Sequence, residues 1–493
     1  MEEHHSGTRR VAVIGGGIAG LAAAHRLLEL DPWLEVKLFE AGPRLGGVIT
    51  TLHEEGFQVE LSADNFLTAQ PWGLELCRRL WLGEQILQTN PTCRRTFVVR
   101  RGRMHPLPDG FLMLAPTRLW PLALTPLLSP WGKLRAACEY FIPPRLDEAD
   151  ESLAAFVRRR LGNEVFQRLV EPLAGAVYAA DLERLSVSAT LLRFREMELT
   201  YGSVIRALRR RMKAAHAPYT AGESGARYSM FVTLRAGLSS LVVALADSLP
   251  KNSVLLNTAI IGLSRCGSRW QVQTVAAWQK PLASDKKAPA VDVFDGVIMA
   301  VPAYVAAELL RPLDAQLAAA LAGIEYSGSA VISLGYDRRQ IAHPLDGMGV
   351  VVPAMERSPL LACSFSSRKY PHRAPVNKEL LRAFVGGARQ ADLLQLDDAP
   401  LLALVQAELG RLLGIKGPPC YWNIARWPAK MPQYHVGHLG LVANIEARAA
   451  ALGALRLAGN AYHGIGLPDC IHCGETAAES LLQELNRQGP AAN

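Results

Sequence analysis

Residues 10–14 are an apolar, β-branched run, 15–20 a glycine-rich run, 21–30 an apolar stretch with helical spacing, and 36–40 a second short apolar run. That order predicts strand, tight turn, helix and strand, a βαβ unit. Residues 74–88 read as a further helix and 96–107 as a hairpin-like β segment. Between 111 and 215 the apolar positions recur at helical spacing among basic ones, most clearly over 153–161, 164–170 and 204–212. Strand character returns over 254–263, 270–278, 293–300, 329–336 and 380–386, with a helix over 400–413. Residues 281–289 are polar and turn-rich and predict an exposed loop, the tail past about residue 486 is expected to fray, and no fixed-period repeat is visible.

One apolar stretch, 111–131, needs separate treatment. Pro116, Pro121, Pro126 and Pro130 interrupt it and Arg118 sits inside it, so it is a poor spanning helix. Short helices that line an apolar pocket or dip into one membrane leaflet suit it better. The polar N-terminus, residues 1–10, has no apolar segment of the kind a secretory signal carries, which favours a cytoplasmic protein, peripheral on the membrane if associated with it at all.

Composition changes this picture little. A chain of 493 residues, 49% hydrophobic and 20% charged, is globular and long enough for two or three domains. Lys and Arg outnumber Asp and Glu by 53 to 45, with runs at Arg158-Arg159-Arg160 and Arg209-Arg210-Arg211. A solvated helix face accounts for such runs, with an anionic lipid surface or a polycarboxylate substrate as the alternative, and no reader motif points to nucleic acid. The eight cysteines are scattered singly except for Cys470 and Cys473, as reduced thiols in a reducing compartment are.

The candidate chemistry begins in the first turn. Gly15, Gly16, Gly17, Ile18, Ala19 and Gly20 fit G-x-G-x-x-G after a strand and before a helix. Gly15 permits the tight turn, Gly17 lets backbone approach a pyrophosphate, and Gly20 permits close packing of helix on strand. The phosphates would sit at the helix N-terminus, where free N–H groups and the dipole favour anions. Glu40, at the end of the second strand, is placed to accept from a ribose 2′-hydroxyl and to repel a 2′-phosphate. The pattern predicts binding of a dinucleotide other than NADP.

The continuation Glu40-Ala41-Gly42-Pro43-Arg44-Leu45-Gly46-Gly47-Val48 resembles the E-x-x-x-R-x-G-G pattern of the superfamily of flavin amine oxidases, phytoene desaturases and protoporphyrinogen oxidases. Residues 457–471, including Gly459, Tyr462, Gly464, Ile465, Gly466, Leu467, Asp469 and Cys470, are similar to the G-x-x-Y-x-G-[IV]-[GA]-[IVL]-x-D-C-I stretch of protoporphyrinogen oxidases, ahead of a helix expected to begin near Gly474. Residues 171–186 are similar to P-x-x-x-G-V-Y-A-G-D…L-S, and residues 427–438, opening with Trp427-Pro428, to W-x-x-A-[IM]-P-Q-Y-x-x-G-H. Residues 59–66 stand in place of E-x-G-P-[DR]-[SG], with Ser62-Ala63 replacing Gly-Pro and Asp64-Asn65 following. On these motifs the chain, from residue 10 to about 485, is identified as a member of the protoporphyrinogen/coproporphyrinogen oxidase family.

That resemblance implies an α/β fold in three parts. A Rossmann-like FAD-binding domain would be assembled from residues 1–92, 228–303 and 440–493, a mixed-sheet substrate-binding domain from 93–110 and 304–439, and a helical, membrane-associating subdomain from 111–227. The resemblance implies oxidation of protoporphyrinogen IX or coproporphyrinogen III in heme biosynthesis, by hydride transfer to non-covalent FAD and reoxidation by molecular oxygen to hydrogen peroxide. It extends the cofactor set beyond the first turn to Glu40, Ala41, Arg44, Gly46, Gly47, Val48, Ser62, Ala63, Asp64, Asn65, Val254, Trp427, Gly459, Ile465, Gly466 and Leu467. Arg95 is a candidate donor to substrate propionates and Gly175 a backbone contact at the pocket wall, while no side chain is nominated as acid or base. Partners are the porphyrinogen, oxygen, a membrane surface and, for a homodimer, a second copy. One Cys-x-x-Cys is too little for a metal site. Two other readings stay open: a superfamily oxidase or desaturase acting on an amine or carotenoid, and a non-catalytic flavoprotein that binds tetrapyrroles.

Overall fold

The computed structural model describes residues 9–147, 149–214, 231–276 and 289–488. Within it, the apolar runs of the N-terminal third form the centre of a five-stranded sheet ordered Val254–Leu255, Glu35–Phe39, Arg10–Ile14, Gly296–Met299, Leu455–Leu457. Every neighbouring pair is parallel. Strands buried on both faces need continuous apolar sequence, which Val11-Ala12-Val13-Ile14 and Val297-Ile298-Met299 supply. Helices Ile18–Leu30 and Leu467–Arg487 pack against this sheet and against each other, and their apolar faces join one core with the strands.

A second sheet has seven strands, ordered Tyr421–Pro432, Tyr326–Asp337, Lys378–Gly386, Ala362–Phe365, Gly347–Val351, Arg95–Arg100, Arg103–Pro106. Its two faces are read directly from alternation along each strand. Phe97, Val99, Ala330, Ile332, Leu334, Leu381, Ala383 and Val385 lie in the core covered by helix Asp398–Leu413. Val98, Val351, Ala362 and Phe384 point the other way, into a core shared with helices Leu153–Leu161, Glu171–Tyr178 and Val187–Tyr201. The helical stretch is therefore seated on the inner face of this sheet. Among the described residues no helix is long and apolar enough to cross a membrane.

Four expected elements differ. Residues 74–88 are helix Trp72–Arg79, a 3-10 turn and strand Ile86–Gln88, because Trp81 takes a left-handed φ of 60° and ends the helix. Residues 254–263 split at Asn257, whose φ is 51°, so Val254–Leu255 joins the parallel sheet while Thr258–Cys266 opens an antiparallel one. Residues 166–170 form a π turn within the stretch expected to be regular helix. The last helix begins at Leu467, not near Gly474, since Pro468 falls in the first turn, where proline needs no N–H partner. The expected loop at 281–289, except Pro289, and the tail beyond 488 lie outside the described residues.

Candidate active site

The first glycine turn closes where strand Arg10–Ile14 ends. Gly15 has a φ of 107° and a Cβ there would stand 2.4 Å from the Ala300 carbonyl oxygen, while a Cβ on Gly20 would stand 1.9 Å from the Gly15 oxygen. These two positions are closed to any side chain by the fold itself. Gly17 is different: its φ of −71° suits any residue, and nothing lies within 4 Å of where its Cβ would be. It caps helix Ile18–Leu30 with no side-chain partner for the first-turn N–H groups, those of Ile18, Ala19 and Gly20. Open space at an uncapped helix N-terminus fits a pyrophosphate.

Glu40 faces the same turn. One of its carboxylate oxygens accepts from the Gly16 N–H at 2.8 Å and the other from the Gly42 N–H at 2.7 Å. Each oxygen keeps a lone pair for a ribose hydroxyl, and the backbone contacts fix the carboxylate's direction. The Gly46 N–H donates to the Gly16 carbonyl at 2.8 Å, and Gly47 lies against Gly17, so the two glycine segments abut. Arg44 does not stand free toward a diphosphate: it donates to the carbonyls of Leu45, Gly47 and Ile49 and clamps its own loop. Ala41 is in that loop, Val254 edges the sheet next to Leu38, and Val48 is exposed.

The second half of the cradle comes from the other end of the chain. Strand Leu455–Leu457 runs parallel to Gly296–Met299 and leads to Gly459, whose N–H donates to the Cys473 sulfur at 3.4 Å. Tyr434 ties this loop down by donating to the Asn460 carbonyl at 2.6 Å and accepting from the Gly464 N–H at 2.9 Å. Burial pushes its phenol well above the ordinary tyrosine range, so the hydroxyl remains a donor. Gly466 caps helix Leu467–Arg487, and Ile465 and Leu467 reach into two different cores on either side. A Cβ on Gly474 would lie 2.1 Å from the Ala19 carbonyl oxygen. The two long helices thus touch backbone to backbone where the first turn of Ile18–Leu30 meets the third turn of Leu467–Arg487.

Residues 61–65 approach from the inner face of the seven-stranded sheet. The Trp427 indole donates to the Leu61 carbonyl at 2.7 Å, and Arg382 donates to the Ser62 carbonyl. Asp64 pairs with Lys369 at 3.2 Å and with Arg382 at 3.3 Å, and the Asn65 amide donates to it at 2.7 Å. Burial would raise the Asp64 carboxyl, but Lys369 and Arg382 hold it down to about 2. Ser62, Ala63, Asp64 and Asn65 are therefore a segment anchored on buried cations. Arg382, Lys369 and Arg373 are absent from the sequence-based set. A signal existed: Arg382 interrupts the buried run Leu380-Leu381-Arg382-Ala383-Phe384-Val385.

The two expected substrate contacts are not brought together. Arg95 shares its sheet face with Phe97 and Val99, the face covered by helix Asp398–Leu413, and pairs with Asp346 at 2.9 Å with 57% of its side chain exposed. The period of two puts it on the opposite side of the sheet from Val98 and the helical core. Gly175 lies on that other side, in a crevice lined by Glu171, Ala179, Val352 and Gly387. A Cβ there would make only an ordinary contact, 3.7 Å from Glu171. Burial pushes the Cys473 thiol up to about 11 and the Cys470 thiol higher still, which disfavours thiolate chemistry at either.

Comparison with known proteins agrees with this geometry. Residues 18–482 match the family described as flavin containing amine oxidoreductase. The chain is 32% identical to a coproporphyrinogen III oxidase of Staphylococcus aureus over 97% of its own length and 100% of the relative's. It is 33% identical to the Bacillus subtilis protein of the same name, with 97% and 99% covered. A chloroplastic protoporphyrinogen oxidase of Nicotiana tabacum is 29% identical, with 96% and 86% covered. A solved structure from Exiguobacterium sp. 255-15, provisionally described as a protoporphyrinogen oxidase, superposes with a TM-score of 0.84 at 29% identity, covering 97% of this chain and 99% of that one. A putrescine oxidase superposes with a TM-score of 0.66 at 15% identity, covering 97% and 99%, and shares the fold alone.

Proposed function

The chain belongs to the flavin containing amine oxidoreductase family, and from that premise we propose that it oxidises coproporphyrinogen III to coproporphyrin III with molecular oxygen as acceptor. It is an FAD-dependent oxidoreductase of porphyrin biosynthesis. The observation that carries the substrate is the end-to-end match to coproporphyrinogen III oxidases, at 32–33% identity over 99–100% of their length. Protoporphyrinogen IX is the second reading, favoured by the plant relatives at 29–30% identity.

When bound, FAD supplies the electron acceptor, and its reoxidation by oxygen yields hydrogen peroxide. The protein's part is to hold and orient. The N-terminus of helix Ile18–Leu30 would hold the pyrophosphate, that of helix Leu467–Arg487 would face the flavin end, Glu40 would receive a ribose hydroxyl, and residues 61–65 would form a wall braced by Trp427 and Arg382. In the apolar row of cross-strand neighbours Ala425, Val331 and Phe384, the end at Ala425 and Val331, beside the core packed by the helices, excludes water and suits the face of a macrocycle. Nothing in this arrangement calls for a general base, since pyrrole protons are lost to solvent.

Purified protein should release one FAD per chain on acid or heat treatment. Under air it should convert coproporphyrinogen III to a fluorescent porphyrin with oxygen consumption, at higher kcat/KM than protoporphyrinogen IX. Failure to oxidise either overturns the reading. A peripheral membrane site on a cytoplasmic protein is part of the same proposal, supported by Trp120, Trp131 and Phe141, which are 74%, 79% and 84% exposed on neighbouring short helices. Release by a carbonate or high-salt wash tests it. The expected homodimer is checked by light scattering.

A further inference from the structure

One row of the seven-stranded sheet is polar where its neighbours are apolar. Asn423, Ser333, Arg382 and Ser364 are consecutive cross-strand partners, all on the inner face. The next row, two residues further along each strand, is Ala425, Val331, Phe384 and Ala362. Arg382 and Ser333 are each 1% exposed. Their polar atoms are not all used: Arg382 Nε, Ser333 Oγ, Ser364 Oγ and Asn423 Oδ1 are buried without a hydrogen-bond partner, as is the hydroxyl of Ser62, whose carbonyl accepts from Arg382. Buried polar groups are ordinarily satisfied, and a line of orphans around one guanidinium marks a place where a ligand completes the bonding.

Charge points the same way. Arg382 and Lys369 share Asp64, while Arg373 pairs with Glu60 at 2.9 Å. Lys369, Arg373 and Arg382 against Asp64 and Glu60 leave one buried positive charge in excess. An uncompensated buried charge is costly, and an anion held by Arg382 would offset it. Burial lowers the affinity of both Lys369 and Arg382 for their protons, as expected of cations short of a partner.

We propose that Arg382, supported by Lys369 and the hydroxyls of Ser333 and Ser364, receives a carboxylate of the tetrapyrrole substrate whose ring lies along the adjacent apolar row. This rests on the porphyrinogen-oxidase reading. It moves the anionic subsite from Arg95, on the far face of the sheet, to the inner face. It also defines the substrate class as one whose carboxylate hangs at the edge of a broad apolar ring.

The test uses FAD-loaded enzyme and two porphyrins, coproporphyrin III and its tetramethyl ester, with binding followed by porphyrin fluorescence. Wild type should bind the acid in preference to the ester. Arg382→Met should lower that preference by roughly tenfold or more, as loss of a desolvated charge-assisted bond implies. Arg382→Lys should keep most of it. Ser333→Ala, which removes an unpaired hydroxyl and leaves every ion pair in place, should lower the preference by about threefold and serves if Arg382→Met fails to fold. If wild type binds neither porphyrin, the functional reading and this inference fall together. Should Arg382→Met and Ser333→Ala retain the full acid preference, the inference alone is overturned. The same holds if Arg382→Met shifts the flavin midpoint potential while the acid preference stays, because the anion completing the cluster would then be the reduced cofactor.

Discussion

Gly17→Ala separates a glycine kept for a ligand from one kept for the fold. In the protein without cofactor the new methyl would meet nothing within 4 Å, and the backbone at φ −71°, ψ 177° is ordinary extended geometry. Replacing glycine by alanine at a compatible position stabilises by about 0.4–1 kcal/mol through the unfolded chain. Spread over 493 residues at about 2 cal/mol/K each, that raises Tm by no more than about 1 °C. FAD meets the opposite result. A methyl inserted between the turn and the pyrophosphate costs about 1–3 kcal/mol, which weakens binding roughly 5- to 150-fold. Deflavinated protein would be followed by thermal denaturation and then titrated with FAD by quenching of flavin fluorescence. Unchanged stability with weakened FAD is expected, and Gly17→Val should abolish flavin content. An apoprotein several degrees less stable, or FAD affinity equal to wild type, would refute the reasoning.

Gly474→Ala should behave otherwise, because its methyl would collide with the Ala19 carbonyl at 2.1 Å: the apoprotein itself should lose about 1–3 kcal/mol in thermal denaturation, and FAD affinity with it. His438 is stacked on Tyr434 and burial holds its pKa down to about 4, against 6.5 unfolded, so the unfolded state binds the extra proton. Stability should therefore fall as pH drops from 6.5 to about 4, by at most about 3 kcal/mol from this group, and His438→Phe should flatten the pH dependence of Tm over that window. Arg95→Ala removes one exposed ion pair on the face of the seven-stranded sheet covered by helix Asp398–Leu413 and should change kcat/KM by less than about twofold; a tenfold loss on coproporphyrinogen III would return Arg95 to the site.

The parallel sheet was legible because its strands are buried on both faces and so advertise themselves as continuous apolar runs, and because glycines at fixed offsets have few roles between a strand and a helix. Boundaries failed where one backbone conformation decided them. Trp81 gives no sign of its left-handed φ, Asn257, a residue that tolerates one, sits inside an apolar strand-like run, and Pro468 lies in the first turn of a helix expected to begin only near Gly474. The face that Arg95 occupies was not legible for a related reason. A hairpin can be recognised without knowing which of its faces is turned inward, and a shift of one residue reverses the answer. Arg382 carried better information, a cation inside a strand otherwise buried on both sides, but its meaning required the partners that neighbouring strands bring to it.

The parallel sheet has one more consequence, for how the protein comes into being. Its strands are drawn from residues 10–14, 35–39, 254–255, 296–299 and 455–457, and the helix that completes the cofactor cradle ends at Arg487. A nascent chain can form the first βαβ unit early, yet the edge strand Leu455–Leu457 and the helix that follows it are made long after Gly296–Met299. During synthesis at about 5–20 residues per second, the half-built sheet waits roughly 8–30 s with an unpaired edge at Gly296–Met299. Long-range pairing of this kind makes the sheet slow to close, and the waiting edge is where aggregation would begin.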